Sequence, residues 1–252
     1  MIQINRLYAG YSDISVLKDI TLTIPPQQLT ILIGPNGCGK STLLKTICGI
    51  LPISQGEITI QGKSIHHLSQ KELAQQVSYL SQSRRVPDMT VMQMVLHGRF
   101  PYLSYPRRYR SQDREAARAA MAHMGISHLA DTMLPTLSGG IRQKVYLAMS
   151  LAQDTPVVLL DEPTTYLDIS HQLQCMEQTR FLCRSGKTVV MVLHDLPQAL
   201  RTAHHLVVLR NGQIAAQGNP EQIFTSGCLD DVFSVHFERM NTPDGWYYYC
   251  RP

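Results

Sequence analysis

Apolar positions along this chain gather in short runs, and the character of those runs changes twice. In the first third, Ile2–Tyr8, Ile20–Ile24, Leu29–Ile33 and Glu57–Ile60 read as β-strands separated by Gly10, Pro25-Pro26 and Gly56. A helix-like segment runs from Ser41 to Ile50. Beyond Gln82 the pattern turns helical. Thr90 is placed to cap a helix over Val91–His97, a loop with Pro101 and Pro106 follows, and Ser111 caps an alanine-rich helix ending near Gly125. From Val145 helices and strands alternate: a helix over Val145–Gln153, a strand at Val157–Leu160, a helix over Ile169–Cys183, a strand at Thr188–Leu193 and a helix from Pro197 to Ala203. Such alternation needs crossover connections and therefore predicts a parallel sheet. Asn211-Gly212 between Leu206–Arg210 and Gln213–Ala216 predicts a hairpin closed by a two-residue type I′ turn. The run Trp246–Cys250 reads as a last strand.

The expected fold is α/β, with a parallel sheet, an N-terminal antiparallel part and an inserted helical subdomain. Residues 1–83 and 149–252 would form the α/β core of a single 252-residue domain, and residues 84–148 the insertion. A hydrophobic content of 44% with 17% charged residues excludes a disordered chain. No apolar run approaches the roughly 18 residues that span a bilayer, and Met1 leads straight into a strand, so neither a membrane span nor a leader is expected. Any membrane role requires partner subunits. The net charge of +4 is matched locally between Arg99 and Arg118, where six arginines face two acids, Asp113 and Glu115. That stretch suits a solvated face, anionic lipid or an acidic groove on a partner. No nucleic-acid motif accompanies it, so no nucleic-acid partner is expected. The six cysteines (38, 48, 175, 183, 228 and 250) lack metal-binding spacing and read as reduced and structural. Cys38 is the exception, because a helix mouth should favour its thiolate and make it sensitive to alkylation.

The chemistry is concentrated in three places. Gly34-Pro35-Asn36-Gly37-Cys38-Gly39-Lys40-Ser41-Thr42 follows a strand-like run and opens a helix. This is the spacing of a phosphate loop: glycines let backbone N–H groups converge on an anion, Lys40 reaches the terminal phosphates, and the Ser41 hydroxyl binds Mg²⁺. A nucleoside triphosphate is the expected ligand. Second, the buried run Val157–Leu160 ends in Asp161-Glu162. Acids at the carboxyl end of a parallel strand open onto the ligand crevice, with Asp161 holding Mg²⁺ and Glu162 acting as the general base on water. Third, Ser138-Gly139-Gly140, within Leu137–Gln143, precedes a helix and offers a second anion site.

With these three in register, the chain resembles the ATPase subunit of an ABC transporter over essentially its whole length. The resemblance implies further roles: Tyr11 as the aromatic that stacks on adenine, Gln82 as the glutamine linking Mg²⁺ to the helical subdomain, Asp168 in the D-loop and His194 as the switch histidine at the γ-phosphate. It also implies that two copies close head to tail on two ATP molecules, beside two transmembrane permease subunits and, indirectly, a substrate-binding protein, on the cytoplasmic face of the bacterial inner membrane. Ile141 departs from the family's usual glutamine. His97–Tyr102, Asp161–Ile169 and Gln217–Pro220 are similar to ATPases of importers for iron–siderophore complexes, haem and cobalamin, and Pro156–Ile169 looks closest to that of the ferric citrate importer. Soluble ABC ATPases of iron–sulfur cluster assembly are the alternative from another class. A metabolic kinase leaves Leu137–Gln143 unexplained.

Overall fold

A computed structural model describes residues 1–12, 14–82, 86–243 and 245–251. They divide into two compact units, residues 1–67 with 188–252 and residues 68–187. The boundary expected between residues 83 and 84 lies outside the described residues.

From the N-terminus the chain forms β1 (Ile2–Tyr11), β2 (Ile14–Ile24), β3 (Leu29–Ile33), α1 (Lys40–Ile47), β4 (Ile53–Ile60) and β5 (Lys63–Ser64). The second unit supplies α2 (Gln70–Gln76), β6 (Val77–Leu80), α3 (Val91–His97), α4 (Ser111–His123), α5 (Gly139–Gln153), β7 (Val157–Asp161) and α6 (Ile169–Arg184). Back in the first unit come β8 (Thr188–Val192), α7 (Leu196–Thr202), β9 (His205–Arg210), β10 (Gln213–Gly218), α8 (Pro220–Thr225), α9 (Cys228–Phe233), β11 (His236–Thr242) and β12 (Gly245–Arg251).

In the first unit β2-β1-β4-β5 form an antiparallel sheet, and β10-β9-β3-β8 run side by side in another. β3 is parallel to both β8 and β9, the arrangement expected of strands joined by helices. Its five residues are all buried, which is why the run Leu29–Ile33 shows no polar alternation. Asn211 and Gly212 both take left-handed backbone angles, as a type I′ turn requires. That turn reaches the phosphate loop: the Gly212 N–H donates to the Cys38 carbonyl (3.1 Å), and the Gly212 carbonyl accepts the Lys18 N–H (2.8 Å). The aromatic tail is β12, paired with a β11 that the sequence reading did not anticipate. Tyr248 is buried against Phe224 at a ring separation of 5.2 Å. Arg239 stacks on Phe224 and Trp246 while pairing with Glu221.

In the second unit β6 and β7 are parallel, with Leu80 opposite Leu160. Helices α3, α4 and α5 pack on one another through Val91, Val95, Ala117, Ala120, Met121 and Leu147. Thr90 caps α3 as expected, in a reciprocal pair with Gln93. Two elements begin differently from the sequence reading. α4 does start at Ser111, but Asp113, not Ser111, takes the preceding N–H of Arg110 (2.9 Å). α5 starts at Gly139 rather than Val145, because Ser138 accepts the Ile141 N–H (3.4 Å) and so begins the helix despite the two glycines.

The arginine-rich stretch is not a uniform charged face. Arg99 is largely buried, its Nε 3.2 Å from the Asp113 carboxylate, its Nη1 donating to the Ala152 carbonyl (2.9 Å), and its guanidinium 4.0 Å from the Tyr102 ring centre. It therefore joins the end of α3 to α4 and α5. Arg107 lies over Phe100 at 4.8 Å. Removing one partner of a buried pair leaves the other charge desolvated and unmatched. Asp113→Ala is therefore expected to lower unfolding stability by about 3 kcal/mol, measured by urea denaturation, whereas a change under about 0.5 kcal/mol would show the pair to be dispensable.

Candidate nucleotide-binding and catalytic site

Candidate residues occur in both units. In the first, β3 ends at Ile33 and the chain turns through Gly34–Gly39 into α1. Gly34 has φ of 150°, and a Cβ there would stand 2.2 Å from the Leu209 carbonyl oxygen, so no larger residue fits the turn. Gly39 enters the helix in a left-handed conformation and supplies no side-chain cap. The positive end of α1 therefore carries no capping side chain, and a helix start of this kind favours an anion. Lys40 is buried, and its Nζ donates to the carbonyls of Gly34 (2.7 Å) and Pro35 (3.0 Å). These partners are neutral dipoles, and an anion is the ligand that balances a cation held this way. Ser41 and Thr42 begin α1, with Thr42 buried. Asn36 and Gly37 complete the loop, and Gly37 also takes a left-handed angle.

Cys38 does not meet the expectation of a favoured thiolate. It is buried, and that burial raises its pKa, outweighing the opposing charge of Lys40, whose Nζ lies 3.9 Å from Sγ. The helix mouth acts on a thiol that solvent hardly reaches. Under native conditions at neutral pH, alkylation of Cys38 is expected to be at least about tenfold slower than that of the exposed Cys250, read by mass spectrometry of the peptides; equal rates would restore the reactive assignment.

Tyr11, at the end of β1, is 44% exposed, so one ring surface faces solvent while the Lys45 ammonium lies 5.7 Å from its centre. His194 lies two residues beyond β8, exposed, directly before Asp195, which caps α7 by accepting the Gln198 N–H (2.9 Å).

In the second unit the β6–β7 register brings two expected residues together, since Gln82 and Glu162 each stand two positions beyond the paired Leu80 and Leu160. Gln82 Nε2 donates to the Glu162 carboxylate, and Thr165 Oγ1 donates to it at 3.1 Å. Glu162 has φ of 49°, a left-handed angle that is uncommon for a residue with a side chain. Asp161 is buried at the end of β7 and accepts a hydrogen bond from the Tyr79 hydroxyl (2.9 Å). With one amide nitrogen of Gln82 held by Glu162, its Oε1 is the atom left for a cation. Within this unit Asp161 and Gln82 offer oxygen atoms, the donor type that suits Mg²⁺.

Ser138 and Gly139 are exposed at the start of α5, while Gly140 is buried. Asp168 caps α6, its Oδ1 accepting the backbone N–H of His171 (2.8 Å) and lying 2.7 Å from the imidazole Nδ1. Those hydrogen bonds hold the Asp168 carboxyl below its ordinary pKa. Three supporting residues escaped the sequence reading. Thr165, three positions after Glu162, and His171, three positions after Asp168, carried only a weak local signal; Tyr79 carried none, because its partner is set by strand pairing.

A glycine loop opening a helix, with a buried lysine, and a strand ending in two acids define a phosphate-loop nucleotide hydrolase. Residues 17–165 match the family described as ABC transporter. The chain is 43% identical over 240 residues to the ferric enterobactin transport ATP-binding protein FepC of Escherichia coli K12, covering 94% of this chain and 89% of that protein. It is 39% identical over 240 residues to the iron(3+)-hydroxamate import ATP-binding protein FhuC of Bacillus subtilis 168, with the same coverage of 94% and 89%. Among solved structures it superposes with a TM-score of 0.86 on a transporter described as a metal-chelate type ABC transporter in an inward-facing conformation, at 25% identity, over 100% of this chain and 96% of that one. The chain belongs to the ABC transporter family, as one of its ATP-binding, ATP-hydrolysing subunits. Among the described residues no helix is long and apolar enough to cross a membrane.

Proposed function

We propose that this chain powers uptake of a ferric chelate, an iron–siderophore complex or ferric citrate, by ATP-driven closure of a dimer on a membrane importer. The observation that carries the mechanism is the presence in one chain of two helix starts suited to an anion: the Lys40 loop before α1, and Ser138 with Gly139-Gly140 at the start of α5. A single triphosphate needs only one. Two copies placed head to tail would use both, each ATP held by the Lys40 loop of one protomer and the Ser138 amides of the other.

Within that dimer, Tyr11 stacks on adenine, and the loop from Gly34 to Thr42 holds the phosphates. Asp168 borders the partner's nucleotide. Ser41, Asp161 and Gln82 hold Mg²⁺, which neutralises charge on the phosphates when bound. Glu162 accepts the proton of the attacking water, and His194 steadies the γ-phosphate. Contacts made only with the γ-phosphate favour the closed state, and hydrolysis removes them. The helical subdomain at residues 84–148 passes that change to two permease subunits on the cytoplasmic face of the bacterial inner membrane, and a substrate-binding protein delivers the chelate. Support for the cargo comes from the roles of the relatives, FepC with ferric enterobactin and FhuC with iron(3+)-hydroxamate, and from the run Pro156–Ile169.

Deletion of the gene followed by growth on single iron sources tests the cargo. Loss of growth on one ferric chelate, restored by the parent and not by Glu162→Gln, supports the reading. Normal growth on every ferric chelate with loss of haem or cobalamin use would move the protein to those importers.

A further inference from the structure

His171 lies outside the motifs described above, yet it touches two of them. Its Nδ1 stands 2.7 Å from Asp168 Oδ1, which also accepts the His171 backbone N–H. An ionised carboxylate can only accept, so Nδ1 carries the hydrogen, and the ring orientation is fixed by two bonds to one oxygen. The opposite edge of the ring faces the Ser138-Gly139-Gly140 turn. A Cβ built on Gly140 would lie 2.1 Å from His171 Cδ2 and 2.4 Å from Nε2. No positive φ is required at Gly140, so its backbone would accept alanine; the imidazole is what excludes a side chain. The ring is 28% exposed, partly enclosed between these neighbours.

We propose that His171 is a positioning residue, a strut that fixes the D-loop carboxylate of Asp168 relative to the Ser138-Gly139-Gly140 turn. The inference rests on the sandwich reading above, because the amides of that turn and Asp168 would address the same nucleotide on the partner copy. Helices α5 and α6 touch, and the imidazole sets the separation of their N-terminal ends. Without the ring, the Gly140 amide loses its backing and the Asp168 carboxylate loses the imidazole donor. Nucleotide capture by the Lys40 loop of the same chain does not involve His171.

The test uses the full-length chain in the Glu162→Gln background, with ATP affinity measured at dilute protein and ATP-driven dimerisation measured by sedimentation. His171→Ala is expected to weaken the dimer roughly tenfold, the scale of coupling between contacting residues, while ATP affinity at dilute protein stays within about twofold. His171→Asn, whose amide can replace the Nδ1–H, is expected to recover part of that loss. Gly140→Ala, which drives a methyl group into the ring, is expected to weaken the dimer as well, and adding it to His171→Ala should cost little more. Dimer affinity unchanged by His171→Ala, or full additivity of Gly140→Ala with it, overturns the strut. If the Glu162→Gln parent forms no ATP-dependent dimer, the sandwich reading fails and this inference with it; a parent that dimerises regardless of residue 171 overturns the inference alone. Thermal unfolding of each variant separates lost coupling from lost fold.

Discussion

Glu162→Gln is expected to bind ATP as the parent does, to hydrolyse it roughly 10²–10⁴-fold more slowly, and to accumulate as an ATP-bound dimer. The reason lies in what the substitution keeps. Glutamine has nearly the shape of glutamate, so it can still accept from Thr165 Oγ1 and still adjoin Gln82, both of which touch the carboxylate now. The left-handed turn at residue 162 is a property of the backbone and also survives. What is lost is the negative charge and with it the capacity to accept a proton. If that group is the base, binding and closure proceed and chemistry stops, so the closed state is trapped instead of discharged. Single-turnover hydrolysis with sedimentation in ATP reads both effects at once. A Gln variant that turns over at the parental rate would remove Glu162 from the base role.

Lys40→Ala is expected to act one step earlier, weakening ATP binding roughly 10–100-fold, the range expected for loss of charge-assisted hydrogen bonds to phosphate. The ammonium is already poised: it is buried and anchored by the Gly34 and Pro35 carbonyls, so little reordering is needed when the anion arrives. Binding measured by calorimetry on folded protein, checked by circular dichroism, distinguishes this from collapse of the loop. Unchanged affinity would mean that the backbone amides alone hold the phosphates. The two variants should differ in kind. One binds and does not hydrolyse; the other scarcely binds.

Local chemistry was readable in the sequence wherever a few adjacent residues suffice. Thr90 before Val91–His97 announced a helix start, and Asn211-Gly212 announced a type I′ hairpin, because both are decided by the backbone preferences of neighbouring residues. The phosphate loop and the strand ending in Asp161-Glu162 were legible for the same reason. Pairings across the fold were not. β6 follows α2 directly, Val77 coming straight after Gln76 with no glycine or proline at the junction, so nothing local marked the change from helix to strand. Tyr79 on that strand, which holds Asp161, was missed with it. The start of α5 was placed six residues late because two glycines look like a loop until Ser138 is seen as a cap. Charge was read correctly in amount but not in place: Arg99 counts as a surface cation until Asp113, fourteen positions on, is found beside it. Cys38 was misjudged because the sequence shows the helix mouth and not the burial that opposes it.

The central claim is that one triphosphate is gripped by two copies of this chain. A crystal structure of Glu162→Gln with ATP and Mg²⁺ tests it most directly. The account predicts a head-to-tail dimer with each γ-phosphate within hydrogen-bond distance of Lys40 Nζ from one protomer and Ser138 Oγ from its partner. ATP bound at the Lys40 loop with no Ser138 near any γ-phosphate, in every assembly of the crystal, would contradict it.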